Sequence, residues 1–299
     1  MINAPVIVFA YNRPAHTRAT IAALQKNIGA IDSDLFIISD AAADQNSLAS
    51  VQEVRDYIKT VRGFRKINII EREKNYGLGN NIITGVTDII GLYGRVIVLE
   101  DDLITAPFFL QYMNKALDIY AENEKVICVH GYVYPVKEKL PDTFFLKGAD
   151  CWGWGTWKRG WMHFESNGQV LLDQLVKTGQ ARAFDFNDAY PYTAMLKDQI
   201  AGKNTSWAVR WNASAFLLDM YTLYPGKSLV FHAGGDGSGT NTGNDNLLDV
   251  ELADKPVKLK KIIVEQNVQA FRAFSYFLKI LSNPNLLYRV KRKWKKIIS

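Results

Sequence analysis

The sequence predicts an α/β protein, with a mostly parallel sheet flanked by helices. Short runs of β-branched and aliphatic residues recur, they alternate with stretches of helical periodicity, and they end on polar or acidic residues. The first run, Pro5-Val6-Ile7-Val8-Phe9-Ala10, is apolar without alternation, as a strand buried on both faces is. It stops at the polar turn Tyr11-Asn12-Arg13-Pro14. Residues 15–26 follow as a helix, with Thr17, Ile21 and Leu24 at helical spacing. Leu35 to Ser39 is a second strand, ending on Asp40, and a helical stretch over 48–60 leads to a third strand at Lys66 to Ile70. Residues 80–90 read as a helix and Arg95 to Leu99 as the fourth strand. Residues 108–123 read as a helix, 125–131 as a strand, and 169–218 carry further helical patterns.

The fourth strand stops at three consecutive carboxylates, Glu100-Asp101-Asp102. In open α/β sheets ligands bind beyond the carboxyl ends of such strands. Three adjacent acids repel, and burying them uncompensated is costly. Either the turn faces water, or a divalent cation carrying substrate phosphates relieves the repulsion, for which Mg²⁺ or Mn²⁺ suits carboxylate oxygen.

The second half changes character. Trp152, Trp154, Trp157 and Trp161 alternate with glycine and read as a loop presenting flat aromatic faces. Indole rings offer flat apolar faces for stacking, so Trp152 and Trp154 are candidate ligand platforms, while Trp157 and Trp161 equally suit a core. Ser228 to Phe231 is a short strand entering a glycine-rich loop, Gly234 to Asn241, placed to close over a ligand. The C-terminal part reads as a separate unit. Phe271, Phe274, Phe277, Leu278 and Leu281 form an apolar stripe, and Arg289 to Lys296 holds six basic residues. Such a helix rests on an anionic membrane surface, docks on the body, or leaves a solvated tail.

The bulk numbers bound the rest. The 299 residues are 48% hydrophobic and 22% charged, so the chain forms a sizeable core. A formal net charge of +6 suggests an anionic partner. Cys128 and Cys151 are the only cysteines and have no zinc or disulfide spacing, which fits a reducing cytoplasm. No signal peptide and no run of eighteen apolar residues is found, so the expected location is cytoplasmic, peripheral at the inner face of the membrane. The basic residues gather in the tail without an interleaved aromatic surface, which argues against nucleic acid.

The order of these motifs resembles the GT-A fold nucleotide-sugar glycosyltransferases, especially family 2 and the N-acetylglucosaminyltransferase I group. The resemblance runs over residues 4–242 through the opening strand and turn to Arg13-Pro14, Ile38-Ser39-Asp40, Arg72-Glu-Lys-Asn75-Tyr-Gly77-Leu78-Gly79, and Leu99-Glu100-Asp101-Asp102-Leu103. It implies a GT-A domain over 1–244, with a nucleotide half over 1–103 and an acceptor half over 104–244, and a helical, basic extension over 245–299. It implies that Tyr11, Asn12, Arg13, Asp40, Arg72, Asn75 and Gly77 surround the nucleotide. Glu100 and Asp101 contact ribose or sugar, and Asp102 binds the metal, Mn²⁺ or Mg²⁺. His232 is placed as a second metal ligand, and Trp152 and Trp154 as acceptor platforms on which sugar C–H faces stack. The general base that deprotonates the attacking hydroxyl is Asp198 by best match, with Asp150 and then Asp236 as competitors.

Two departures from the family stand out. The metal motif is Glu-Asp-Asp rather than Asp-x-Asp, and Lys197 stands where family 2 often has a glutamate before the base. The implied activity is inverting transfer from a UDP-sugar to a saccharide or lipid-linked acceptor in bacterial surface polysaccharide or glycolipid synthesis. The competing readings are a catalytically inactive scaffold of the same fold and a sugar-1-phosphate nucleotidyltransferase. The second is weakened by the absence of glycine in Tyr11-Asn12-Arg13-Pro14.

Overall fold

The computed structural model describes residues 3–237 and 246–283. Its strands are β1 (Val6–Ala10), β2 (Asp34–Ser39), β3 (Lys66–Glu71), β4 (Arg95–Glu100), β5 (Leu103–Thr105), β6 (Val126–His130), β7 (Thr143–Lys147), β8 (Trp154–Trp157), β9 (Tyr221–Pro225) and β10 (Val230–His232). Its helices are α1 (Pro14–Gln25), α2 (Leu48–Ile58), α3 (Leu78–Tyr93), α4 (Phe109–Ile119), α5 (Lys158–Trp161), α6 (Gly168–Lys177), α7 (Ala181–Phe184), α8 (Tyr192–Ile200), α9 (Ala208–Leu217) and α10 (Val268–Leu281).

Eight strands form one sheet in the order β3-β2-β1-β4-β8-β6-β9-β7. The first four run parallel, as their unbroken apolar runs predict. β8 enters antiparallel to both β4 and β6, and β7 closes the far edge antiparallel to β9. The chain order reverses around β1, which lies between β2 and β4, so the carboxyl ends of β1 and β4 flank a crevice of the kind that takes ligands.

The tryptophan segment corrects the sequence reading. Trp154–Trp157 is not a loop but a fully buried strand in the middle of the sheet. Its residues alternate as a strand requires. Trp154 faces one core with Trp207 and Trp211, while Trp157 faces the opposite core. Glycine is needed because the neighbouring strand is close: a Cβ on Gly155 would meet the Val96 carbonyl at 3.0 Å. Trp154 is therefore no acceptor platform. It is 1% exposed, with ring centroids 5.4 Å from Trp207 and 5.7 Å from Trp161. Trp154→Ala is expected to cost about 3–5 kcal/mol in denaturant unfolding, the range for removing a buried aromatic side chain. A loss below about 1 kcal/mol would show that the ring is not part of the core.

The C-terminal extension is also corrected, over its described part. It is not a separate unit. Tyr132 Oη donates to the Leu248 carbonyl at 2.7 Å, Ala253 N–H to the Ser228 carbonyl at 2.8 Å, and Ile262 N–H to Tyr120 Oη at 2.9 Å. Gln266 then bridges Phe145 on the edge strand β7. Asn267 caps α10 by accepting from Ala270 N–H at 2.8 Å, and the apolar stripe of α10 lies on the body. Phe274 packs edge-on against Phe144 and Tyr224, and Phe277 stacks on Tyr134 at 5.2 Å. The same periodicity that suits a lipid surface here buries a sheet edge. The basic run Arg289 to Lys296 and the loop residues Ser238 to Asn241 lie outside the described residues.

Candidate active site

The acidic turn is built by its neighbours. β4 delivers Glu100 at its end, and Asp101 and Asp102 turn the chain into the short strand β5. β5 pairs antiparallel with β10, setting His232 opposite Leu103. Ala233 N–H donates to the Asp102 carbonyl at 2.8 Å, which ties the two strands at this end. The pairing brings His232 Nε2 to 3.5 Å from Asp102 Oδ2. A residue predicted 130 positions downstream thus arrives at the acids through two strands of three residues each. Gly234 is required by the approach, since a Cβ there would come within 2.5 Å of Asp102 Oδ2.

Arg13 enters from the turn after β1. Its Nη2 donates to Asp101 Oδ1 and stands 2.8 Å from Asp102 Oδ2. Tyr11 N–H donates to Asp101 Oδ2 at 3.4 Å, and Thr20 Oγ1 to the Asp101 carbonyl at 2.8 Å. Arg13 Nη1 is buried with no acceptor among the described residues. Leaving a donor in that state costs about 1–3 kcal/mol.

The electrostatics follow from burial and crowding. Burial, with Asp102 and Asp101 adding repulsion, pushes the Glu100 carboxyl up to about 8. Burial also raises Asp101 to about 6 despite the opposing pull of Arg13. Burial works to raise Asp102 as well, but the hydrogen bond from His232 and the charge of Arg13 outweigh it and hold this carboxyl below its ordinary value. A carboxyl raised in the folded state keeps a proton that the unfolded chain has released, so stability falls as pH rises. The donor-free protein is therefore expected to lose stability between the ordinary glutamate value of 4.5 and about 8. Glu100→Gln flattens that slope, read as the thermal midpoint against pH. An unchanged slope in the variant would remove Glu100 as its source.

The predicted nucleotide residues converge on the same crevice. Asp40 Oδ1 accepts from Ala41 N–H and Tyr76 N–H, both at 2.9 Å, joining the end of β2 to the turn before α3. Asn75 donates to the Ala41 carbonyl at 2.7 Å and accepts from Gly77 N–H at 3.1 Å. Gly77 has φ of 69°, so the chain there needs glycine. Arg72 donates to Asn81 Oδ1 at 3.0 Å and lies over the Tyr76 ring at 4.7 Å. Tyr11 Oη accepts from Ala43 N–H at 3.1 Å, and Asn12 is half-buried in the turn before Arg13. Much of this set braces loop backbone, a role that residue type alone does not distinguish from ligand contact.

The acceptor-side candidates separate. Trp152 is half-buried and stacks on His232, with centroids 4.2 Å apart and planes within 5°. Its backbone N–H donates to His130 Nε2 at 2.9 Å. His130 Nδ1 faces the Tyr132 carbonyl at 3.0 Å, so it carries the ring proton, and burial holds this histidine below its ordinary value. Asp150 lies beside it, Oδ1 at 3.7 Å from His130 Nε2, and accepts from Cys151 N–H at 2.8 Å and Tyr224 Oη at 3.2 Å. Asp150 is thus joined to Asp102 through His130, Trp152 and His232. Asp198 is elsewhere, on α8, where it pairs with Lys203 at 3.1 Å. Asp236 pairs with His16 on α1 at 3.2 Å. Sequence reasoning missed His130 and Tyr224, which carry no local motif, and the β6, β8 and β9 pairings alone bring them together.

The donor set suits a divalent ion. Asp102 and His232 supply a hard oxygen and an imidazole nitrogen facing each other. Among the described residues no group of three or more His, Cys, Asp or Glu side chains is placed to hold a metal ion, so the protein's share of such a site is these two. Mg²⁺ and Mn²⁺ sites of this kind keep their remaining positions for water and substrate phosphates.

Comparison with known proteins bears on the family of the chain. The family model described as Glycosyl transferase family 2 matches residues 6–178. No curated protein matches the chain significantly. Among solved structures, the mannosyltransferase PcManGT from Pyrobaculum calidifontis, in complex with GDP-Man and Mn2+, aligns at 15% identity and TM-score 0.34, over 44% of this chain and 36% of its own. A form of S. aureus TarS aligns at 12% identity and TM-score 0.42, over 78% of this chain and 61% of its own. TarS in complex with UDP-GlcNAc aligns at 16% identity and TM-score 0.32, over 46% of this chain and 37% of its own. This chain thus spans less than two thirds of each of these three.

Proposed function

The chain belongs to glycosyl transferase family 2, and we propose that within it this protein is an inverting, divalent-metal-dependent transferase. It moves a sugar from a nucleotide-diphosphate sugar, with UDP as the nucleotide, to a saccharide or lipid-linked acceptor. One observation carries the reading: Asp102 Oδ2 and His232 Nε2 stand 3.5 Å apart at the carboxyl end of β4, in the crevice where the strand order reverses.

Asp102 and His232 would hold the ion, which when bound would supply Lewis-acid stabilisation of the departing diphosphate. Asp40 and Asn75 shape the turn over the base and ribose, and Gly77 lets the backbone come close. Trp152 keeps the His232 ring aligned and its half-buried edge borders the acceptor side. Asp150 is the general base that takes the proton of the attacking hydroxyl. Its support over Asp198 is that it adjoins Trp152 and has no cation pairing with it among the described residues, whereas Asp198 is held by Lys203. The tail with its six basic residues places the enzyme at an anionic membrane surface, where a lipid-linked acceptor is delivered. No helix of the described residues is long and apolar enough to cross a membrane.

The test is a thermal-shift titration with UDP, GDP, dTDP and CMP, each with and without Mn²⁺, on wild type and Asp102→Ala. A ligand that binds only the folded state raises its stability with occupancy. A UDP shift that needs Mn²⁺ and is lost in Asp102→Ala is the expected result. Folded protein that shifts with no nucleotide would overturn the reading in favour of an inactive scaffold.

A further inference from the structure

Two adjacent buried carboxylates repel each other, and a positive charge close by relieves that repulsion. In this site the charge present is the guanidinium of Arg13, whose Nη2 touches Asp101 and Asp102 at once. Asp102 Oδ2, the atom that faces His232, is one of the two it holds. An ion bound by Asp102 and His232 therefore competes with Arg13 for the same oxygen. Arg13 is also built to let go by its side chain alone. Its carbonyl is pinned by the N–H and hydroxyl of Thr17, both at 2.9 Å, while half of its fork, Nη1, has no acceptor among the described residues. A guanidinium half-used on carboxylates is matched by a diphosphate, which offers oxygens for bidentate bonding.

We propose that Arg13 is a two-position cation of the donor site. With no donor bound it holds Asp102 Oδ2, the oxygen the divalent ion needs, together with Asp101, and on loading it yields the Asp102 oxygen and turns onto the donor diphosphate. The site then keeps charge balance in both states and binds free metal weakly, so that metal and nucleotide enter together. The inference rests on the metal reading of Asp102 and His232, which its test separates.

The experiment measures Mn²⁺ affinity of the full chain without nucleotide, from the free-ion signal in electron paramagnetic resonance. Wild type is compared with Arg13→Gln and with Arg18→Gln, which makes the same change in net charge from α1, where Arg18 pairs with Glu53 and lies over the Tyr57 ring. Arg13→Gln is expected to bind Mn²⁺ at least tenfold more tightly than wild type, and Arg18→Gln within twofold of it. With Mn²⁺ saturating, Arg13→Gln is expected to bind UDP at least tenfold more weakly. Equal or weaker Mn²⁺ binding by Arg13→Gln overturns the proposal, as does an equal gain in Arg18→Gln. If Arg13→Gln does not fold, Arg13→Lys carries the test. A single ammonium lacks the fork, so a gain of at least threefold is expected and no gain overturns the idea. Asp102→Asn with UDP present tests the metal reading itself. Wild-type Mn²⁺ affinity in that variant would sink the reading, whereas its loss alongside an unchanged Arg13→Gln sinks only the role given to Arg13.

Discussion

Asp102→Asn is expected to abolish transfer, lowering kcat by about a thousandfold or more. The substitution keeps shape and replaces an anionic oxygen by an amide, so the loss reads the charge. Asp102 Oδ2 is the atom on which His232 and Arg13 both converge. In the proposed function Asp102 is a direct ligand of the ion, so its removal would forfeit the electrostatic stabilisation of the departing diphosphate, a contribution of several kcal/mol, and each 1.36 kcal/mol corresponds to about tenfold in rate. The measurement is single-turnover transfer from a UDP-sugar across a range of Mn²⁺ concentrations, with circular dichroism to establish folding. Activity within tenfold of wild type at any Mn²⁺ concentration would remove Asp102 from the machinery. His232→Ala, which leaves the carboxylate in place, is expected to be milder and to be recovered in part by higher Mn²⁺.

How much of this site the sequence makes legible depends on the range over which each signal acts. β1 and β4 are plain because a strand buried on both faces writes itself as an unbroken apolar run, and Glu100-Asp101-Asp102 ends such a run. β5 and β10 are not, since three residues each carry no periodicity, yet their pairing is what sets His232 against Asp102. The Gly-Trp alternation misleads because glycine is poor in isolated strands. Here it is demanded by the closeness of Val96, a contact no local window contains. The helix α10 has the periodicity expected of it, but an apolar stripe is the same whether it meets lipid or the rings of Phe144 and Tyr224. The base is the hardest case. Asp198 and Asp150 are both carboxylates downstream of the acidic turn, and only the pairing of β8 with β4 and β6 brings the segment holding Asp150 to the crevice.

That distinction makes the second large effect a comparison between the two aspartates. Asp150→Asn is expected to lower kcat by about 10²–10⁴, the range for losing a positioned general base, with donor affinity little changed. The neighbourhood supports a proton-accepting role. His130 has no proton to give it, because Nδ1–H is committed to the Tyr132 carbonyl and the Nε2 lone pair accepts Trp152 N–H. Asp150 therefore faces His130 at 3.7 Å without an ion pair, its carboxylate oriented by Cys151 N–H and Tyr224 Oη. Tyr224→Phe removes the second of those bonds and is expected to give a smaller fall in kcat with KM for donor unchanged, which marks a positioning residue. Asp198→Asn is expected to stay within about twofold of wild type, since that side chain is 49% exposed and engaged by Lys203, the setting of a weak surface pair. The measurement is kcat and donor KM for the three variants alongside donor binding by thermal shift. If Asp198→Asn loses activity while Asp150→Asn keeps it, the base lies on α8. The acceptor would then have to approach from that helix, and the chain of contacts from Asp102 through His232 and Trp152 to Asp150 would serve packing alone.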